Sequence, residues 1–240
     1  MTVEGLDGLL TAATIDPAVH ELRPDYLAIL IAASGLPGGP SDEAADGWLR
    51  EAEAEAVGRL AGSPPEERPH VALWREAFRA FGAKPQRTRS SLEALLRRLP
   101  DGLPRINRLT DLYNAVSVLY EVPVGGEDLD RYAGAARLVR ATGTESFETT
   151  ADGQPVVEHP EAGEVVWADD AGVTCRRWNW RQCTRTQILP TTTRALFIID
   201  ALGPDALETA TVAGDALERR LRGLGPGVTT ARRLLTFPQA

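Results

Sequence analysis

The sequence predicts an α/β fold of the α+β kind, with a mixed or antiparallel β-sheet core and helices packed around it. Three features point there. Residues 25–33 (DYLAILIAA) and 195–199 (ALFII) are short apolar runs bounded by turn or charged residues, as in buried strands. Residues 41–120 repeat apolar side chains at helical spacing. Residues from about 137 to 180 break into short alternating segments separated by turn signals.

The elements follow in order. The first buried strand, 25–33, lies between Pro24 and the turn-rich SGLPGGP. Ser41 opens a helix with Asp42 and Glu43 in its first turn, where the helix dipole favours acids. Its apolar stripe is Ala45, Trp48, Leu49, Ala52, Ala56 and Leu60, and Ser63-Pro64-Pro65 ends it. A second helix over 69–81 turns Trp74, Phe78 and Phe81 inward and stops at Gly82. After the basic connector 84–89 (KPQRTR), Ser90 and Glu93 form a capping box for a third helix, with Leu92, Leu95, Leu96 and Leu99 inward and Pro100 beyond its end.

A fourth helix, 107–120 (NRLTDLYNAVSVLY), has a polar face. Asn107, Asp111 and Asn114 recur at spacings of four and three, and Arg108 lies three residues from Asp111, within pairing reach. Asn and Asp compete for backbone hydrogen bonds inside helices, so three on one face form either a functional wall or a structural brace.

The chain then becomes β-rich. Residues 123–128 read as a turn. Residues 137–141, 147–149, 154–157 and 164–167 read as strands, with Asp152-Gly153 as a hairpin turn. Residues 173–180 read as another strand, with Cys175, Arg177 and Asn179 on one face and Arg176, Trp178 and Trp180 on the other. Residues 181–193 are polar, lack a helical period and contain Pro190. They form an ordered loop between two strands, a favourable place for a binding site. The alternative is a surface loop whose threonines cap turns while the tryptophans fill the core. Gly203-Pro204 opens a last helix with Leu207, Leu217, Leu221 and Leu224 as its apolar positions, and 232–237 is a final strand.

Composition narrows the function classes. The chain has 240 residues, 43% of them hydrophobic, and contains no apolar run long enough to span a bilayer. The acidic N-terminal stretch is not a signal peptide, so a cytoplasmic protein with no membrane partner is expected. Cys175 and Cys183, with no histidine nearby, make neither a zinc site nor a disulfide framework. No P-loop, G-x-S-x-G, H-E-x-x-H or G-x-G-x-x-G is present, so no metal and no cofactor is expected. The net charge of −8 argues against a general nucleic-acid coat and against DNA binding. Its distribution is uneven: residues 71–120 carry nine bases against four acids, and 171–240 ten against five. These blocks either meet as one basic patch able to engage phosphates, through Arg87, Arg89, Arg97 and Arg98 or through Arg219, Arg220 and Arg222, or they pair with the acidic blocks.

The segment 103–130 (LPRINRLTDLYNAVSVLYEVPVGGEDLD) resembles the B3/4 editing domain of the phenylalanyl-tRNA synthetase β subunit. That family carries a helix of the form R-x-I-N-N-x-V-D-x-T-N-Y followed by a G-Q-P-x-H-A-F-D turn. Asn107, Asp111 and Asn114 match the helix, and Pro123 with Asp128 approximates the turn. Asp169-Asp170 and the following strand resemble the family's strand before its G-I-M-G-G loop. Residues 178–193 correspond to that loop and 195–200 to the strand after it. The resemblance covers about 71–203. It implies a single free-standing B3/4-like domain over 1–240, with an acidic N-terminal strand and helix (1–70), a core (71–203), and a C-terminal helix and strand (204–240).

The family domain hydrolyses tyrosine wrongly esterified to phenylalanine tRNA. The resemblance therefore implies a trans-editing hydrolase whose partner is the aminoacylated 3′ end of tRNA, or else a free amino acid. It places Arg108 and Asn114 on pocket positions, to hold the amino acid or the terminal ribose. The family histidine falls at about Gly125. The family glutamate falls near Ile198 or Ile199, with Asp200 close by. An aminoacyl ester is already activated, so a site need only hold it, position water and stabilise the oxyanion. Asn179, Arg181 and Gln182 are the expected catalytic donors. Asn107, Arg108, Asp111, Asn114, Trp178, Trp180 and Thr186 are the expected substrate-binding residues. A non-catalytic amino-acid or small-molecule binding protein, or a tRNA-binding module, is the alternative on the same fold.

Overall fold

The computed structural model describes residues 3–237. In chain order the elements are α1 (Val3–Thr11), β1 (Thr14–Ile15), α2 (Pro17–Leu22), β2 (Leu27–Ser34), α3 (Glu43–Leu60), α4 (Pro69–Ala80), α5 (Ser91–Leu96), α6 (Arg108–Tyr120), β3 (Val124–Asp128), β4 (Arg137–Arg140), β5 (Phe147–Ala151), β6 (Gln154–Glu158), β7 (Val165–Asp169), β8 (Gly172–Arg176), β9 (Arg181–Gln182), β10 (Arg194–Ala201), α7 (Ala206–Gly223) and β11 (Thr229–Leu235). No helix among the described residues is long and apolar enough to cross a membrane.

The two apolar runs are neighbours in an antiparallel sheet of order β11-β2-β10-β3. Both β2 and β10 are covered on two faces, which is why they read as continuous rather than alternating apolar sequence. Ile29, Ile31, Phe197 and Ile199 pack on Leu109 and Tyr113 of α6 and Leu217 and Leu221 of α7. Leu30, Leu196 and Ile198 face the other way, onto Trp74, Phe78, Trp167 and Trp178. A second sheet, β1-β4-β7-β8-β9, stands on that side and is antiparallel except for the parallel pair β1–β4. β5 and β6 form a separate hairpin whose Asp152 and Gly153 both take positive φ, as its two-residue turn requires. Leu49 and Ala52 of α3 pack with Leu92 and Leu96 of α5 and Val118 of α6 in a third apolar cluster.

The structure changes several expectations. Residues 124–128 are a strand, not a turn: β3 pairs with β10, placing Gly126 opposite Phe197. Glycine there is a packing residue, because a Cβ would lie 2.7 Å from Ile188 Cδ1 and 2.8 Å from Tyr113 Cε1. The expected strand 173–180 stops at Arg176, where Arg177 and Trp178 both take positive φ. Asp42, not Ser41, caps α3, accepting from the Ala45 amide at 2.9 Å. Ser90 does cap α5, but the Glu93 carboxylate turns to Arg75 and Arg97 instead of returning to the cap. Elements α1, β1 and α2, at the N-terminus, are additions to the expected order; Leu6, Leu9 and Leu10 of α1 and Ala13 just after it recur at helical spacing and pack on the core.

The basic blocks are largely paired with acids. Arg97 meets Glu66 and Glu93, Arg220 meets Glu51, and Arg222 meets Glu218. Of the residues considered for phosphate contact, Arg98 stands exposed at the lip of a cavity between the two sheets.

Gly126→Ala should lower stability by ~1–3 kcal/mol, since the buried Tyr113 ring and Ile188 must shift to admit a methyl group. Urea denaturation measures this. Unchanged stability would show that the strand–helix contact has slack.

Candidate active site

A cavity of about 300 Å³ opens between the two sheets under α5 and α6. Its walls come from β10 (Ile198, Asp200), β3 (Val124, Gly125, Glu127), β7 and β8 (Trp167, Cys175), the connector 177–182, and the helical residues Leu95, Tyr113 and Asn114. The connector is shaped by a carboxylate. Glu164, 2% exposed, accepts from the Arg176 guanidinium at 2.9 Å through both oxygens and from the Arg177 backbone amide at 3.1 Å. The Trp178 amide then donates to Val165 O at 2.7 Å. This anchoring holds two consecutive left-handed residues that would otherwise be costly.

The reversal resets which side chains face the site. Trp178 goes fully into the core, edge-on to Tyr26 and Trp74. Asn179 turns toward Asp200. Trp180 returns toward the surface, 4.7 Å from the Arg177 guanidinium.

Asp200 is the chemical centre of the inner wall. It is 2% exposed; Oδ1 accepts the Tyr26 hydroxyl at 2.6 Å and Oδ2 lies 3.5 Å from Asn179 Nδ2. Burial raises its pKa to about 7, and the donors Tyr26, Asn179 and Trp167 only partly offset this. The Trp167 indole N–H acts on the carboxylate without reaching hydrogen-bond geometry. Asn179 Oδ1 is buried with no hydrogen-bond partner among the described residues. A second buried acid, Glu127, lies on the adjacent strand, also raised to about 7 by burial. Burial likewise pushes the Cys175 thiol well up, so it is not a ready nucleophile.

Of the expected residues, Asn114, Trp178, Asn179, Trp180, Arg181 and Gln182 line this one cavity. Gln182 Nε2 donates to Gly126 O at 2.8 Å, which fixes the amide over Gly125. The remaining four lie elsewhere. Asn107 caps α6 through the Thr110 amide at 2.9 Å and braces the following loop by donating to Ile188 O at 3.3 Å. Arg108 does not pair with Asp111; it binds Asp42 and the carbonyls of Pro37 and Gly38. Asp111 Oδ1 accepts from the Ile106 amide at 2.8 Å, while its Oδ2 is buried with no hydrogen-bond partner among the described residues. Thr186 is buried, with its hydroxyl on Cys183 Sγ.

Arg181 needs a correction of role. It borders the cavity, but its guanidinium donates to Thr149 Oγ1 at 2.6 Å and lies near Phe147 and Glu158 of the β5–β6 hairpin. Sequence reasoning missed Glu127, Cys175 and Trp167, and Tyr26, whose hydroxyl reaches Asp200 from 174 residues away. Glu127 sat in a stretch read as a turn. Trp167 and Tyr26 looked like ordinary core aromatics.

The B3/4 domain family profile matches residues 73–232. No curated protein matches the chain. Among solved structures, the chain is similar to an N-terminal fragment of the phenylalanyl-tRNA synthetase β subunit from Pyrococcus horikoshii, with a TM-score of 0.44 and 12% identity. The likeness covers 91% of this chain and 50% of that one, so the chain spans about half the length of the fragment.

Asp200 and Glu127 give a signed pH prediction. Each has a folded-state pKa near 7, above its unfolded value, so its contribution to stability is fully present below pH ~4 and is lost as pH rises through ~7. Asp200→Asn should therefore gain up to ~4 kcal/mol in stability relative to wild type on going from pH 4 to pH 8. Paired thermal melts at the two pH values test this. A variant that loses more stability at pH 8 than at pH 4 contradicts the assignment.

Proposed function

The chain belongs to the B3/4 domain family, and from that premise we propose that it is an aminoacyl-ester hydrolase acting on the charged 3′ end of tRNA, in the cytoplasm where such tRNA is met. One observation carries this reading: Asp200, a buried carboxylate with Asn179 Nδ2 3.5 Å from its Oδ2, lines together with Asn179 a cavity sized for an acyl group. A water donating a hydrogen to that carboxylate would present its lone pair to the cavity.

The step balances without a cofactor. Asp200 takes a proton from the water, and the oxygen attacks the ester carbonyl. The acyl C–O bond breaks, and the ribose oxygen leaves with the proton that Asp200 took, which returns the carboxylate to its ionised form. A carboxyl of pKa near 7 suits this role, because it is substantially ionised at neutral pH yet basic enough to accept the proton. Gln182 is held by the Gly126 carbonyl through one N–H and has a second to offer the developing oxyanion. Tyr26 orients the carboxylate, and Asn114 is placed to bind the substrate. Trp178, Ile198 and Tyr113 supply the apolar wall against which the acyl group is read. Arg98, exposed at the rim, favours the phosphate that follows the terminal ribose.

The test is amino-acid release from a panel of aminoacyl-tRNAs. Wild type should hydrolyse at least one member, and Asp200→Asn should lower kcat/KM by ~100-fold or more while remaining folded. No hydrolysis of any member, alongside measurable binding of an amino acid, would leave a binding protein on this fold.

A further inference from the structure

The cavity has a marked polarity of charge. Its two acids, Glu127 and Asp200, are 1% and 2% exposed. Its two cationic lining residues are Arg98, which is exposed, and Arg181, which is half-buried and held by Thr149 and Thr150. The wall is thus anionic inside and cationic at the lip. A ligand that fits carries positive charge at its inner end and negative charge where it emerges. An aminoacyl nucleotide has that layout, with a protonated amine on the acyl group and a phosphate beyond the ribose.

The two acids are not equivalent. Glu127 pairs with Leu196 across the strand boundary, and Asp200 lies four residues further along β10, roughly 13 Å at the rise of a strand. They therefore occupy different ends of the cavity. Asp200 stands beside Asn179 and takes the hydrolytic role proposed above. Glu127 sits among Tyr132, Thr174 and Cys175, and its carboxylate accepts the Tyr132 hydroxyl. Arg185 does not neutralise it by contact: that guanidinium donates to both oxygens of Asp169 at 2.8 Å and to Arg131 O. The groups around Glu127 are hydroxyls, a thiol and a remote ion pair, and no cationic side chain touches it among the described residues.

We infer that Glu127 is the recognition site for a primary ammonium group of the acyl moiety, so that the cavity selects amine-bearing acyl groups over neutral ones of the same size. The inference rests on reading this cavity as the acyl site. An ammonium entering beside Glu127 stabilises the ionised carboxylate that burial otherwise disfavours, so binding couples to loss of a proton near neutral pH. The ammonium has two possible sources: the α-amino group every aminoacyl ester carries, or an amine at the end of its side chain.

Three probes of matched length separate these sources by calorimetry. Norleucine amide carries the α-ammonium alone, Nα-acetyl-lysine amide carries the side-chain ammonium alone, and Nα-acetyl-norleucine amide carries neither. At pH 7.5, where most of the α-amine is still protonated and Glu127 is largely ionised, at least one amine probe should bind ~10-fold or more tighter than the neutral one, and the tighter of the two identifies the source. Glu127→Gln should remove the difference. If that variant does not fold, wild type still decides the matter: the preference should fade between pH 7.5 and pH ~5 as the carboxyl takes up a proton, and should fade likewise in Asp200→Asn, where the other acid cannot titrate. Tyr132, Tyr113 and Cys175 stay protonated over that range, and Asp169 and Arg185 stay charged. Equal binding of all three probes, or an amine preference that survives in folded Glu127→Gln or at pH ~5, overturns the inference. These readouts do not involve ester hydrolysis. A failed hydrolysis assay therefore leaves the amine result standing, and a failed amine result leaves Asp200-dependent hydrolysis standing.

Discussion

A carboxylate set into the aromatic side of the central sheet is the interaction around which the site is arranged. Asp200 ends a strand that is otherwise apolar, and its hydrogen-bond partners come from distant parts of the chain. Tyr26 arrives just before β2, and Asn179 comes from the turn after β8. Trp178 packs between them, edge-on to Tyr26. Removing an acid from water disfavours its ionised form unless donors or cations replace the lost hydration. Here one good hydrogen bond and one long one replace it incompletely. The chain carries a group that opposes folding at neutral pH, and such a cost persists where reactivity needs it.

The arginines show the opposite arrangement. Arg176 and Arg177 share the buried Glu164, and the Arg185 guanidinium is forked onto Asp169. These pairs are well shielded and geometrically complete, so they act as fasteners for the connector and for the loop after β9. Pairs further out, such as Arg105 with Asp46 and Glu53, join the acidic N-terminal block to the helical region. Because each block of one sign is met by the other, the alternation of charge along the sequence becomes complementarity in space rather than a broad basic face. Exposed pairs of this kind add little stability individually.

The fold was legible where burial imposes a pattern on the sequence. β2 and β10 are covered on both faces, so they read as unbroken apolar runs. α3 and α4 are covered on one face, so they read at helical spacing, whereas α6 is buried on all sides. β3 was not legible, because Gly125 and Gly126 look like a turn until Tyr113 and Ile188 are seen pressing on the strand. The site was partly legible. Asn179 and Gln182 stood out because polar residues concentrate between two strands. The polar face of α6 was misleading. Asn107 and Asp111 answer the helix's own orphan amides and the Ile106 amide, and Asn114 alone of the three borders the cavity. Helical spacing says which residues share a face, but not which of them the backbone has already claimed.

The departures from the family pattern form a consistent set when placed in space. The position where the resemblance puts a histidine is Gly125. A Cβ built there would lie 3.4 Å from Gln182 Nε2, so Gln182 occupies the space above the strand that a side chain at 125 would compete for. Gln182 belongs to the segment that stands in place of the family's Gly-Gly loop. A bulky connector thus faces a bare strand. The acid moves in a similar way. Asp200 lies one or two residues beyond the glutamate position and has a shorter side chain, and Asn179 and Tyr26 converge on it. Polar groups from β10, from the connector after β8 and from the segment before β2 therefore converge beside one cavity. That is the expected result when a fold holds its layers fixed and varies the side chains between them.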